Sequence, residues 1–378
     1  METALSSVYD EPEMENYYIA SVMLVENIGC MRAKQLLDYF MSGEAIWKAD
    51  REQLEESKLN PSILDALVHF RRLHPNCPEQ LAEFCSKKKI KLCSIKDIDY
   101  PELLKEIKDA PALLYYKGEL SNDPKVAIVG TRHPTVYGLR TATELAMNIA
   151  GTGVVVVSGA AYGIDTAAHK GAMKVGKTIA VLGEGLEVVS PKDKKKFLDE
   201  IVENGGAVIS EYSPNARSSK GTFPQRNRII TGLSIGIVVI ETDVDGGAMN
   251  TAKHAGEYGR LIFAVPGSIN EYKSRGCHQL IRKGATLIRN AEDILEDCKL
   301  NIDVSRPKKR VIGLPPLEGN EEIVMKAIPT DKTISEEELL IKLDDLEISE
   351  VSMILLTLED KGYINQESFG NYIRAYGS

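Results

Sequence analysis

The sequence predicts an α/β protein with a central parallel sheet, a small helical domain in front and a second small domain behind. Three observations carry this prediction. Between residues 86 and 305 short Val- and Ile-rich runs alternate with helical patterns, as in βαβ units. Up to residue 85 apolar residues recur only at helical spacing, and after residue 318 three helical patterns precede two short strands. At 378 residues the chain is long enough for two or three domains and a sizeable core.

The charge pattern follows the same divisions. The net charge of −9 is unevenly spread, with 7 Lys and Arg against 15 Asp and Glu over residues 1–85. Residues 86–317 hold 34 against 26, and residues 318–378 hold 5 against 14. A basic middle between acidic flanks suits a polyanion-binding core whose flanks do other work, although charges spread over solvated faces give the same totals. The six cysteines form no CxxC pair and no metal-ligand cluster, so no metal or other cofactor is expected. The acidic start has no basic n-region, and no apolar stretch approaches the roughly 18–20 residues that span a bilayer. A cytoplasmic protein with reduced thiols and no membrane partner is expected.

In the first domain (1–85), Tyr18–Leu24 and Ala33–Phe40 are helical, and Asn27-Ile-Gly-Cys-Met-Arg-Ala33 is a Gly-containing turn between them. The arrangement resembles a helix-hairpin-helix or SAM-like element, but one poor in basic residues, which favours a structural or interaction role. In the middle domain (86–305) the strand candidates are Lys125–Val129, Val154–Val157, Thr178–Leu182, Ala207–Ile209, Ile235–Glu241 and Leu261–Val265. Nearly continuous Val and Ile is what strands buried on both faces require. Helices are expected over Arg140–Ala150, Thr166–Lys174 and Asn250–Glu257. A basic, Pro-containing linker (306–317) runs from Arg306-Pro-Lys-Lys-Arg310 to Leu314-Pro-Pro316. The last domain (318–378) gives helices at Glu321–Ala327, Ser335–Leu343 and Ser349–Lys361, then strands at Gly362–Ile364 and Asn371–Arg374, which is a winged-helix order. Its would-be recognition helix carries three acids and no base between Ser349 and Asp360, so it suits a protein contact better than a phosphate backbone.

Glycine clusters follow five of the predicted strands: Gly130-Thr131-Arg132, Ser158-Gly159 through Asp165, Gly183-Glu184-Gly185, Gly246-Gly247-Ala248 and Pro266-Gly267. In an open parallel sheet that edge binds ligands. Glycines there let backbone amides and helix N-termini approach an anion, although a glycine after a strand also serves a plain tight turn. Arg132 adds a planar fork for phosphate oxygens. Phe223-Pro-Gln-Arg-Asn-Arg-Ile-Ile230 puts an aromatic among cations, and no acid lies between Tyr212 and Glu241 while Arg217, Lys220, Arg226 and Arg228 do. That mixture suits single-stranded nucleic acid, and a basic loop with a buried Phe is the plain alternative. The run Lys192, Lys194, Lys195, Lys196 reads either as a solvated face or as a rim that tracks a backbone.

Enzymatic constellations are weak. The dinucleotide pattern G-x-G-x-x-G fails at Arg132 and at Val188. Ser158 lacks the flanks of a nucleophile elbow. Asp165 and His169, four apart, form an acid–base pair or, more simply, a helix-packing histidine.

These motifs, with Ala168-His169, Ala180-Val-Leu-Gly183, Ala264-Val-Pro-Gly267 and Ser274-Arg-Gly-Cys277 followed by Gly284-Ala285, resemble the DprA (Smf) DNA-processing family from about Ser94 to Cys298. The resemblance implies an extended Rossmann-like domain between a SAM-like and a winged-helix-like domain. It implies a non-enzymatic protein of natural transformation that binds and shields incoming single-stranded DNA, helps load the RecA recombinase, and forms a homodimer through the Rossmann domain. Carried over by motif, Gly130, Thr131, Arg132, Ser158, Gly159 and Arg226 would hold phosphates and Phe223 would contact a base. Lys220, Asn227, Gly246 and Gly247 complete the expected DNA-binding set, with Asn227 and Arg228 shaping the segment. Two departures stand out: Gly246 replaces a serine that the family usually has, and Glu184 puts an acid where phosphate is expected. The nearest enzymatic alternative is a nucleoside-monophosphate phosphoribohydrolase, whose motif needs a carboxylate soon after the glycines. Here Ala252, Lys253 and His254 follow, with no carboxylate until Glu257. A protein-binding adaptor whose acidic tail docks a basic partner is the other alternative.

Overall fold

The computed structural model describes residues 11–300, 317–329, 332–343, 346–361, 363–368 and 370–374. Helices come first: α1 (Glu11–Met23), α2 (Cys30–Phe40), α3 (Gly43–Lys48), α4 (Arg51–Glu55), α5 (Pro61–Leu73) and α6 (Cys77–Lys87). Strands β1 (Lys91–Ser94) and β2 (Leu113–Gly118) follow, with α7 (Glu102–Lys105) between them. The chain then alternates: β3 (Lys125–Gly130), α8 (Val136–Gly151), β4 (Val155–Ser158), α9 (Ile164–Met173), β5 (Thr178–Leu182), α10 (Lys192–Glu203) and β6 (Ala207–Ser210). It continues through α11 (Thr222–Gly232), β7 (Gly236–Ile240), α12 (Gly247–Glu257), β8 (Leu261–Ala264), α13 (Arg275–Arg282), β9 (Thr286–Leu287) and α14 (Ala291–Asp297).

These strands make one sheet in the order β1-β2-β6-β5-β4-β3-β7-β8-β9, parallel from β6 to β9 with β1 and β2 antiparallel at one edge. The chain steps outward from β3 to β6 and then returns to β7, which pairs with the other side of β3. The order therefore reverses between β3 and β7, and a crevice opens above their carboxyl ends.

Period-2 geometry explains the continuous Val and Ile runs. Val126 and Ile128 face one core with α8, α9 and α14, through Leu145, Ile149, Ile164 and Ile294. Ala127 and Val129 face the other, with α10, α11 and α12. That second core extends without a break to Ile19, Leu36, Leu37, Leu64 and Leu67 of the first helices. Each such side chain gains roughly 1.5–3 kcal/mol from burial.

The last segment has its own core, in which Val324, Leu339, Val351, Leu355 and Ile364 meet. Its elements are α15 (Asn320–Ala327), β10 (Ile334–Ser335), α16 (Glu336–Lys342), α17 (Ile348–Asp360), β11 (Ile364–Ser368) and β12 (Asn371–Arg374), with strand order β10-β12-β11. The linker from Arg306 to Pro316 lies outside the described residues. No helix among the described residues is long and apolar enough to cross a membrane.

One expectation changes character. Residues Phe223–Ile230, read as a basic segment or loop, are helix α11, with Pro224 in the first turn where its missing N–H costs nothing.

Candidate nucleic-acid interface

The crevice at the strand reversal is a cleft of about 360 Å³. Of the expected set, Gly130, Thr131, Arg132, Phe223, Arg226, Asn227, Gly246 and Gly247 line it. Ser158, Gly159 and Lys220 do not. Ser158 is fully buried and its hydroxyl donates to the Ile128 carbonyl at 2.6 Å, so it is turned away from any ligand. Gly159 lies beneath Arg226: a Cβ there would stand 1.8 Å from Arg226 Nη1, so only glycine lets the guanidinium lie flat on the backbone. Lys220 is an exposed cation ahead of α11.

Helical geometry decides what α11 presents. Phe223, Arg226, Asn227 and Ile230, spaced three and four apart, face the cleft, while Gln225 and Arg228 face a second cavity behind the helix. The two arginines are therefore not one basic patch. Arg226 is 4 % exposed and donates from Nη1 to the Val181 carbonyl at 2.8 Å. Burial pulls its pKa down to about 10, opposed by Asp165, so it stays a cation at neutral pH. Arg228 pairs with Glu211 and lies 3.8 Å from Asp109. The acid missing from the Tyr212–Glu241 stretch of sequence is supplied from outside it.

Phe223 is half-buried, with one ring edge against Gly183 and the Arg132 guanidinium carbon 5.7 Å from its ring centroid. The pair is a cation–π contact within the lining of the cleft. Glu184 is less hostile than its charge suggests, because Lys194 of α10 holds it at 3.0 Å. One member of the lysine run thus neutralises the acid in the glycine turn.

The glycine-rich strand ends differ in whether their amides remain open. At β3 the Glu241 carboxylate accepts from Thr135 N at 2.8 Å and from the Thr135 hydroxyl, and it lies against Gly138, so α8 starts on the protein's own anion. At β4 the Gly159 and Ala161 amides donate to Asp165 at 3.1 and 3.3 Å. Burial raises the pKa of Asp165, countered by Arg226. At β5 the Gly185 amide donates to the Ala216 carbonyl at 2.8 Å. At β8, Gly267 is packed against Ser274. At β7 no side chain caps α12, and a Cβ on Gly247 would meet nothing within 4 Å. The Met249 amide donates to the Gly246 carbonyl at 2.9 Å, whereas Gly247 and Ala248, whose first-turn amides lack an i−4 partner, line the cleft.

His169 is fully buried with Nδ1 2.7 Å from the Thr178 hydroxyl, and burial drops its pKa to about 3. It is a neutral packing histidine beneath the cleft floor. Glu257, the first carboxylate after the α12 glycines, sits at the far end of that helix and pairs with Lys108 at 3.2 Å. No carboxylate of α12 lines the cleft; those that do are Asp165 and Asp243.

The structure adds two residues to the candidate set. Tyr272, 56 % exposed, and Lys273 line the cleft from the short turn before α13. An aromatic next to a lysine just ahead of Ser274-Arg-Gly-Cys277 is the signal that could have found them.

A family model described as DNA recombination-mediator protein A matches residues 91–299. Protein Smf of Synechocystis is 32 % identical to this chain over 398 residues, covering 95 % of the chain and 99 % of that protein. The DNA processing protein DprA of Streptococcus pneumoniae is 45 % identical over 207 residues, covering 54 % of the chain and 73 % of that protein. The X-ray structure of DNA processing protein A from Streptococcus pneumoniae superposes with a TM-score of 0.64 at 37 % identity, over 75 % of this chain and 97 % of that one.

Proposed function

Since this chain belongs to the DNA recombination-mediator protein A family, we propose that it binds single-stranded DNA in the cleft between the ends of β3 and β7. The supporting observation is the convergence there of Arg132, Arg226, Lys273, the uncapped α12 N-terminus and the Phe223 ring. Cations and amides take successive phosphates, and the aromatic takes a base without regard to its identity. The protein performs no catalysis on this reading. It acts in the cytoplasm, shields incoming strands during natural transformation, helps load the RecA recombinase, and works as a homodimer through the Rossmann-like domain. The first 85 residues serve as a SAM-like module and residues 318–378 as a winged-helix-like module whose acidic α17 contacts protein.

Anisotropy of a labelled oligo-dT of about 20 nucleotides at several salt concentrations tests the binding. Arg132→Ala should lower the salt slope by about one phosphate contact, and Phe223→Ala should weaken binding by roughly 1–3 kcal/mol at an unchanged slope. Wild-type protein that does not bind oligo-dT at low salt removes the proposal.

A further inference from the structure

Behind α11 lies a second cavity of about 710 Å³, between the turn that opens α2 and the loop after β6. Arg32, Arg228, Asp109 and Glu211 line it, so its fixed charges balance, unlike those of the cleft. Arg228 and Glu211 are 8 % and 7 % exposed and bind each other through Nη2 and Oε2. Arg228 Nη1 and Glu211 Oε1 are buried without a hydrogen-bond partner, as is Nδ1 of His254, which also lines the cavity. Buried polar atoms without partners cost about 1–3 kcal/mol each, so an unpartnered donor and an unpartnered acceptor on the two members of one ion pair mark a place for a polar group that offers both. The N-terminus of α2, with Gly29 at its cap position and no side-chain cap, opens on the same space.

We propose that this cavity takes one unpaired nucleobase of the strand whose neighbouring base lies on Phe223. The inference rests on the single-stranded DNA reading above. Two features select a base over a phosphate. The balanced charges give no net attraction for an anion, whereas the hydrogen-bonding edge of every nucleobase carries a donor beside an acceptor. Pro224 lines both the cleft and this cavity. It follows Phe223 directly, so the two binding places adjoin at the first turn of α11. The buried Arg228–Glu211 pair is then a base-reading element rather than only an ion pair between α11 and the loop after β6.

Gly29 provides the test. Its φ of −83° and ψ of −178° suit any residue, and a Cβ there meets nothing within 4 Å, so Gly29→Phe adds a ring to the cavity wall without changing either member of the ion pair. Gly29→Ala is the control that leaves the space open. The probes are oligo-dT of about 20 nucleotides and a deoxyribose-phosphate oligomer of equal length without bases. Gly29→Phe should bind oligo-dT about fivefold more weakly at an unchanged salt slope, the size of one lost base contact, and should bind the base-free oligomer like wild type. Gly29→Ala should match wild type on both. Equal oligo-dT binding by Gly29→Phe and wild type overturns the proposal, as does an equal loss on both probes. Failure of wild type to bind oligo-dT is a different result, and it removes the cleft reading first.

Discussion

Helices α8 and α12 both start at the strand reversal, directly after β3 and β7, yet they treat an anion in opposite ways. The α8 terminus rests on the Glu241 carboxylate through Thr135, whereas α12 begins at Gly246-Gly247 with no side-chain cap. A helix N-terminus stabilises negative charge by about 0.3–1 kcal/mol at an exposed site, and α8 has already taken that charge from its own chain. Glycine after a strand is therefore insufficient to define a phosphate site. What matters is whether a buried carboxylate has occupied the amides first, as Glu241 and Asp165 do at β3 and β4.

Two substitutions and a deletion sharpen this contrast, in order of expected effect. Gly130→Ala should be the most damaging, because its Cβ would stand 1.9 Å from the Ile240 carbonyl oxygen and 2.6 Å from Ile164. Neither neighbour can yield, so a loss of about 3 kcal/mol in urea denaturation is expected. A cost near zero would mean that β3 and β7 are less tightly joined than the contact implies. Glu241→Gln should cost about 1–2 kcal/mol by removing the charge that α8 rests on while keeping one acceptor. An unchanged midpoint would show that the carboxylate does not hold that helix. Deleting residues 318–378 should change oligo-dT affinity by less than about twofold, since their core is separate and their surface acidic. A larger loss would bring the last segment into the DNA site.

The parallel strands β3 to β8 were legible because Val and Ile runs such as Val126–Val129 and Val155–Val157 have only one stable environment, between two layers of helices, whereas β9, two exposed residues, carries no such run. Strands β1 and β2 were not, because Lys91–Ser94 is short and Leu113–Gly118 carries polar and aromatic residues that fit an edge as well as a core. Helix α11 was obscured by Pro224 and by its basic residues, and only its helical register shows that Arg226 and Arg228 serve different cavities. The cleft residues Gly130, Arg132, Phe223 and Gly247 could be named from motifs. The inward turn of Ser158, the sealing of α8 by Glu241 and the neutralisation of Glu184 by Lys194 all depend on contacts across more than one element, which no local pattern encodes.

The most direct measurement is the salt dependence of oligo-dT binding by Gly247→Asp. Space for the side chain is open at that position, and an acid in the first turn supports the helix, so the fold should hold or gain slightly. It would give α12 the same kind of internal anion that α8 already has. The expected result is at least about a tenfold loss of affinity, with a salt slope lower by roughly one contact. Wild-type affinity and slope in a folded Gly247→Asp protein would contradict the claim that the open α12 terminus is where the DNA backbone binds.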